Sequence, residues 1–272
     1  MIYSPSKTEA YDTCSLKGKL MYTDHWELRE ASNGTVGKIV GAAFARGTQS
    51  IHLGLCDYVD TASRLYDRQV NHYVEYGVTF STDMGKVKNE LIKTLERYKD
   101  NNPFTTWKIT GVEFQLPEHG RARLDVVGID NEGYSAIADL KYKRTLNPDY
   151  LNKTVSEYRD SWQFLHYPWA YSDMTKEKVH RMWVVLVVAS PFKVLSYPFF
   201  VNEQLQKRWV QSAHQKWSDI LAIEKGERQP TMAAKHGDQY GPCPMKEACL
   251  EMDLNEGLMQ FKYVKVPRLP DE

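Results

Sequence analysis

The chain has 272 residues, 42% of them apolar and 26% charged, with a formal net charge of zero. That length and composition fit a soluble globular protein able to bury a sizeable core, and exclude a disordered or low-complexity chain. No stretch is long and apolar enough to span a bilayer, and the balanced charge neither requires nor excludes a nucleic-acid partner, because such binding depends on local basic surface.

In chain order, Ser4-Pro5-Ser6-Lys7-Thr8-Glu9 predicts a helix start, with Ser6 and Glu9 at capping-box spacing and Pro5 near the first turn. The opening residues hold no charged region followed by an apolar one, so no secretory signal is expected. Four cysteines in such a chain argue against a disulfide framework and for a cytoplasmic, reducing location. Residues 36–76 read as mostly helical, and residues 84–99 as an amphipathic helix with Leu91, Ile92, Leu95 and Tyr98 on one face.

Residues 108–143 read as three short strands joined by two turns, Pro117-Glu118-His119-Gly120 and Asp130-Asn131-Glu132-Gly133. A second turn centred near Glu132 puts Asp125 opposite Asp139, and a first turn centred near His119 puts Glu113 opposite Asp125. Directly opposed residues bring their Cβ atoms to about 5 Å on one face, where like charges destabilise the sheet. Three carboxylates in a row therefore need a cation, and a divalent metal with oxygen ligands is the natural one. Lys141, two residues after Asp139, shares that face. Acids that hold a metal beside an ammonium group suit phosphodiester hydrolysis. The alternative is a solvated face whose charges fall together by chance.

Residues 154–173 return to helix, with Gln163 and Tyr167 four apart on one face and Pro168 expected to bend the helix just after Tyr167. Residues 181–189 are a strand buried on both faces, and 192–200 a further strand. Residues 202–226 form a long helix with Trp209 and Trp217 as packing residues, and the tail from Gln229 is irregular. Cys56 reads as a small buried hydrophobe.

Asp125, the Asp139-Leu140-Lys141 triplet and Gln163-x-x-x-Tyr167 stand in an order that resembles the PD-(D/E)XK nuclease superfamily, and within it the RecB-type branch of phage and recombination exonucleases and the CRISPR adaptation nuclease. Tyr3-Ser4-Pro5-Ser6 with Tyr11 and Cys14 is similar to that branch as well. The resemblance implies an α/β fold with a restriction-endonuclease-like core, a central mixed sheet flanked by helices, a helical N-terminal region and a C-terminal cysteine segment. It implies one nuclease domain over residues 1–272, divided into a helical part (1–100), a catalytic sheet core (108–200) and a C-terminal helix and tail (201–272).

The resemblance further implies that Asp125 and Asp139, with the Leu140 carbonyl, hold Mg²⁺ or Mn²⁺. Lys141 would position or activate the attacking water, and Gln163 and Tyr167 would contact DNA near the scissile phosphate. Glu113 would add a ligand, and Arg121, Arg123, Lys143 and Arg144 are candidates for the DNA-binding rim. DNA is the implied partner, with a recombination or single-strand-binding protein as a further one. Two departures stand out. Where relatives carry Gly-x-x-x-His, the best fit here is Gly41-Ala42-Ala43-Phe44-Ala45, leaving His52 as a candidate metal ligand of the wrong spacing. Relatives also hold an iron–sulfur cluster on four cysteines, whereas this chain offers Cys14, Cys243 and Cys249, with Tyr240 in the remaining place and His236 as a substitute. A cluster, a zinc ion or a vestige without metal all stay open.

Three readings follow: a metal-dependent deoxyribonuclease and exonuclease of recombination or repair, with phage origin among its settings; a DNA-binding module that has lost catalysis; and a metal-stapled partner subunit.

Overall fold

The computed structural model describes residues 2–120, 122–233, 237–238 and 241–269. Helix α1 (Pro5–Thr13) begins with Pro5 in its first turn and is capped by Ser4, whose Oγ accepts the Lys7 amide. The cap is therefore two residues earlier than the Ser6–Glu9 spacing predicts, because a proline suits the first helical position, where no amide is needed. After α2 (Ser15–Gly18) the chain forms strand β1 (Trp26–Leu28), then helices α3 (Asn33–His52), α4 (Tyr58–Glu75) and α5 (Met84–Asp100). The predicted helical span of 36–76 is thus two helices, parted where Gly54 adopts φ +71°, a conformation glycine takes at little cost.

Strands β2 (Lys108–Leu116), β3 (Ala122–Ile129) and β4 (Ser135–Lys143) form the expected antiparallel meander. Helices α6 (Leu151–Arg159) and α7 (Trp162–Thr175) then lead to β5 (Arg181–Val188) and β6 (Lys193–Phe200). Sequence predicts a single helix over 154–173. The break comes at Ser161, which caps α7 by accepting the Phe164 amide, and α7 runs on through Pro168. Helix α8 (Glu203–Glu224) follows. The tail carries β7 (Gly237–Asp238), β8 (Gly241–Pro242), α9 (Lys246–Leu250), α10 (Glu256–Met259) and β9 (Tyr263–Lys265), and β9 pairs antiparallel with β1. That ribbon ties the two ends of the chain and has no counterpart in the sequence-based expectation.

The central sheet is mixed, in the order β2-β3-β4-β5-β6, with β4 and β5 parallel and the other pairs antiparallel. Its two faces are covered differently. Val126, Ala136, Ala138, Val185 and Val187 pack under α3, α4 and α5, while Leu116, Leu124, Val127, Ile137, Val184 and Leu186 pack under α7. β5 is buried on both faces, which is why it reads as an unbroken apolar run. Arg181, at its start, pairs with Asp130 (3.1 Å) and Glu132 (2.7 Å) and stacks on Tyr134 and Phe200, pinning the β3–β4 turn to the sheet.

A candidate metal and phosphate site at the end of the β3–β4 pair

The expected register holds. Val126 pairs with Ala138 and Val127 with Ile137, so the next step along the strands would set Asp125 opposite Asp139. Val112 pairs with Val126 and Phe114 with Leu124, so Glu113 lies across from Asp125. The row is not a plain one, however. Val126 belongs to the core under α3–α5, whereas Leu124 and Phe114 face α7. Both strands therefore turn over at Glu113 and Asp125, and Glu113 takes φ +50°. A non-glycine residue in that region costs on the order of 1 kcal/mol and persists only where its surroundings impose it.

Here β3 and β4 also part. Pairing stops at Val126–Ala138, and the Asp125 carboxylate accepts the Leu140 main-chain amide at 2.6 Å. From the parallel register with β5, Asp139 sits beside Val184 and Lys141 beside Leu186, which are α7-facing positions. Gln163 and Tyr167 come to the same place on the first two turns of α7. Lys141 Nζ donates to Asp139 (2.9 Å to Oδ2) and to Gln163 Oε1 (2.8 Å). Gln163 Nε2 donates to Asp139 Oδ1 (2.9 Å) and to the Tyr167 hydroxyl (2.6 Å). Four residues from β4 and α7 thus form one connected group, with the Asp125 carboxylate beside it on the Leu140 amide.

Its electrostatics are those of a site short of positive charge. Burial, then Asp139, then Glu113 push the Asp125 carboxyl well above the usual carboxylate range, against the pull of Lys141 and the Leu140 amide. Burial raises Asp139 too, with Lys141 opposing. Burial alone would lower Lys141, but Asp139, Asp125 and Glu9 on α1 outweigh it and raise it, so it stands as an ammonium. The Tyr167 hydroxyl is raised by burial and by the two aspartates, and acts as a neutral group.

The remaining predicted residues divide. Glu113 is buried and ion-paired with Arg123; burial raises its carboxyl, with Arg123 and Arg46 opposing. Lys143 lies over the Tyr158 ring on the Lys141 side, its pKa lowered by burial and by Lys141. Arg144 turns to the other side of β4 and pairs with Glu90 of α5 at 3.0 Å, away from the carboxylates. As the neighbour of Lys143 it takes the other side, since successive residues of a strand point to opposite faces. Arg121 lies outside the described residues.

His52 is not gathered with the acids. Its Nε2 meets the Tyr98 hydroxyl at 3.0 Å, its ring packs edge-on to Phe104, and burial pulls its pKa down to about 4. It is a half-buried residue packed at the end of α3. Cys56 is exposed, not buried as expected, in the loop after α3.

Cys14, Cys243 and Cys249 border one small apolar cluster that holds β1, β9 and α9 together. The Cys14 thiol donates to the Thr231 carbonyl (3.8 Å), and burial, with the neighbouring thiols, pushes Cys249 up to about 11. Among the described residues no three His, Cys, Asp or Glu side chains form a metal-binding group. His236 and Tyr240 lie outside the described residues.

A sequence model of the PD-(D/E)XK nuclease superfamily matches residues 2–250. The chain belongs to the PD-(D/E)XK nuclease superfamily. The mixed five-stranded sheet between helical layers is the restriction-endonuclease-like fold of this superfamily. A crystal structure from Eubacterium rectale, provisionally described as an exonuclease, is similar at 15% identity, with 83% of each chain covered and a TM-score of 0.47. A comparison with curated proteins finds no match. No helix among the described residues is long and apolar enough to cross a membrane.

Sequence reasoning missed Arg46. It stands on α3 close enough to act on Glu113, one residue beyond the alanine at the expected histidine position. An exposed arginine one place past a motif gap gives no signal until the helix is placed.

Proposed function

We propose that the protein is a metal-dependent deoxyribonuclease of the RecB-type branch, an exonuclease working in the cytoplasm in DNA recombination or repair, and that the chain acts as one nuclease domain. The observation that carries this reading is the closed set of contacts among Asp139, Lys141, Gln163 and Tyr167 beside the Asp125 carboxylate.

The donor set suits Mg²⁺ or Mn²⁺. Two carboxylates, Asp125 and Asp139, and the Leu140 carbonyl match an ion that takes one or two carboxylates and leaves its other positions to water and phosphate. When bound, the ion supplies Lewis acidity and lowers the pKa of water. Lys141, as an ammonium, donates but cannot accept. It therefore orients the attacking water through a lone pair and offsets negative charge growing on the phosphate. Gln163 holds Lys141 and Asp139 at fixed spacing, and because its two amide hydrogens go to Asp139 and to the Tyr167 oxygen, the Tyr167 hydroxyl proton is left to donate to a phosphate oxygen. Arg123 and Lys143 extend the donors along the strand of DNA.

The test is a time course on 5′- and 3′-labelled single and double strands with Mg²⁺ and Mn²⁺. The parent should release nucleotides from an end. Lys141→Ala should lower the rate by about 10²–10³, the usual cost of removing one preorganised charged donor. Equal degradation by Asp125→Ala, Asp139→Ala, Lys141→Ala and the parent would refute the assignment. Ala45 in the place of the relatives' histidine favours one second reading, a DNA-binding module without turnover; binding with no release in either metal would select it.

A further inference from the structure

Beside the carboxylates lies a cleft of about 980 Å³, at the upper end of the usual range for ligand pockets. One wall is the face of α3 that carries Lys38, Ala42 and Arg46, continued by Arg68 and His72 of α4. The opposite wall is Tyr22, His25 and the segment after β9, residues 266–269. Glu113, Gln115 and Arg123 also line it, so the cleft reaches Glu113, where β2 turns over across from Asp125.

We propose that this cleft is a channel for a single strand of DNA on its way to Asp125 and Asp139; the proposal rests on the nuclease reading above and deepens it to a substrate class. Charge is the first argument. Lys38, Arg46, Arg68, Arg123 and Arg268 line the cleft against two carboxylates, Glu27 and Glu113. Glu27 is taken by Lys38 (2.7 Å) and Glu113 by Arg123, whereas Arg46 donates to the neutral Gln49 amide oxygen (2.7 Å) and Arg268 lies over the Tyr22 ring. The lining is thus net positive within a protein of zero net charge. Such a lining attracts a polyanion.

The second argument is shape. The cleft is bridged: His72 on α4 reaches across to the Pro267 carbonyl at 2.7 Å, and β9 is held to β1 by a paired register from Trp26–Lys265 to Leu28–Tyr263. A double helix is much wider than one strand and costly to bend, so a cleft closed over by such a strap disfavours it. A single strand can thread it, and the rings of Tyr22, His25, His72 and Tyr73 mixed with arginines are the usual means of holding unpaired bases and their phosphates.

The experiment measures binding and cutting separately. A fluorescent 12-nucleotide single strand and the matching blunt duplex are titrated with the full chain in EDTA, following anisotropy from 50 to 300 mM salt. Variants Arg46→Glu and Arg268→Glu change exposed cleft arginines, and Arg64→Glu changes an exposed arginine on α4 outside the lining. Circular dichroism and thermal melts confirm that each variant folds. The proposal expects tighter binding of the single strand than of the duplex and several-fold weaker binding by both cleft variants. It also expects a log–log salt slope smaller by about 0.7 for each phosphate no longer neutralised, with Arg64→Glu like the parent. Duplex bound as tightly as single strand, or cleft variants indistinguishable from Arg64→Glu, would overturn it. Cutting in Mg²⁺ or Mn²⁺ is scored apart. Cleft-dependent single-strand binding without cutting removes the nuclease reading and leaves the channel, and cutting with cleft variants unaltered in binding does the reverse.

Discussion

Two packed histidines weaken this fold as pH falls from 7 toward 5. His166 is 1% exposed, and its Nε2 donates to the His119 carbonyl at 3.0 Å among Trp169, Trp209 and Trp217. His52 is held against Tyr98 and Phe104. Burial, first among the causes, pushes both down to about 4. In the unfolded chain each titrates near 6.5. As pH falls below that value the unfolded state takes up protons that the folded state refuses. The stability these two lend is therefore complete above pH 7 and is lost between about 6.5 and 4. At about 1.4 kcal/mol per pH unit, each costs about 2 kcal/mol by pH 5, and the pair about 4. That is a large share of a typical 5–15 kcal/mol. Asp125, Asp139 and Glu113 work against it, because carboxyls raised in the folded state bind protons there first and add stability as pH falls. The histidine part is isolated by difference. Urea unfolding of the parent and of His52→Gln/His166→Gln, which keeps an amide donor at both places, should be compared at pH 7.5, 6 and 5. The parent should lose about 4 kcal/mol more than the double variant over that range, at constant m. Parallel losses would refute the reasoning.

Asp125→Asn removes one of two buried like charges yet keeps an oxygen for the Leu140 amide, so it should raise the melting temperature in EDTA. Mg²⁺ should stabilise the parent more than this variant, and scanning calorimetry with and without the ion reads both effects. Gln163→Ala frees Lys141 and Asp139 from each other's fixed spacing and should slow cleavage by on the order of 10² with little change in single-strand binding. Gly47→Ala would put a methyl 2.6 Å from Leu95 Cδ1 and 3.2 Å from Ala62 Cβ, where α3, α4 and α5 meet. It should cost about 1–3 kcal/mol in urea unfolding while leaving the carboxylate site intact.

The meander was legible because its turns are chemically explicit. Gly120 and Gly133 take φ values of +73° and +85°. Turns of that kind fix the register of the strands, so the pairs that flank residues 125 and 139, and residues 113 and 125, followed from counting. The long helices were legible from their apolar spacing. What escaped was whatever depends on partners remote in sequence. The ribbon of β1 and β9 joins three-residue strands across almost the whole chain, and neither is long enough to show alternation. The break at Ser161 and the half-buried packing of His52 are likewise set by what lies against them, α7 against the sheet and Tyr98 against α3.

The turning-over of β2 and β3 left no trace in the sequence, because the adjacent Val126 and Val127 are both buried simply by facing opposite covered sides of the sheet, one under α3–α5 and the other under α7. Its consequence is chemical. Without it, Glu113, Asp125 and Asp139 would stand in one row, and the middle carboxylate would repel two neighbours at about 5 Å. With it, Glu113 swings to Arg123 and Arg46 at the cleft, Asp125 takes the Leu140 amide at the end of the pair, and Asp139 goes to Lys141 and Gln163. The kink thus separates a three-carboxylate row into one acid neutralised by arginine and two that remain short of charge. A divalent ion answers to the two, and a phosphate arriving along the cleft meets the arginine that holds the third.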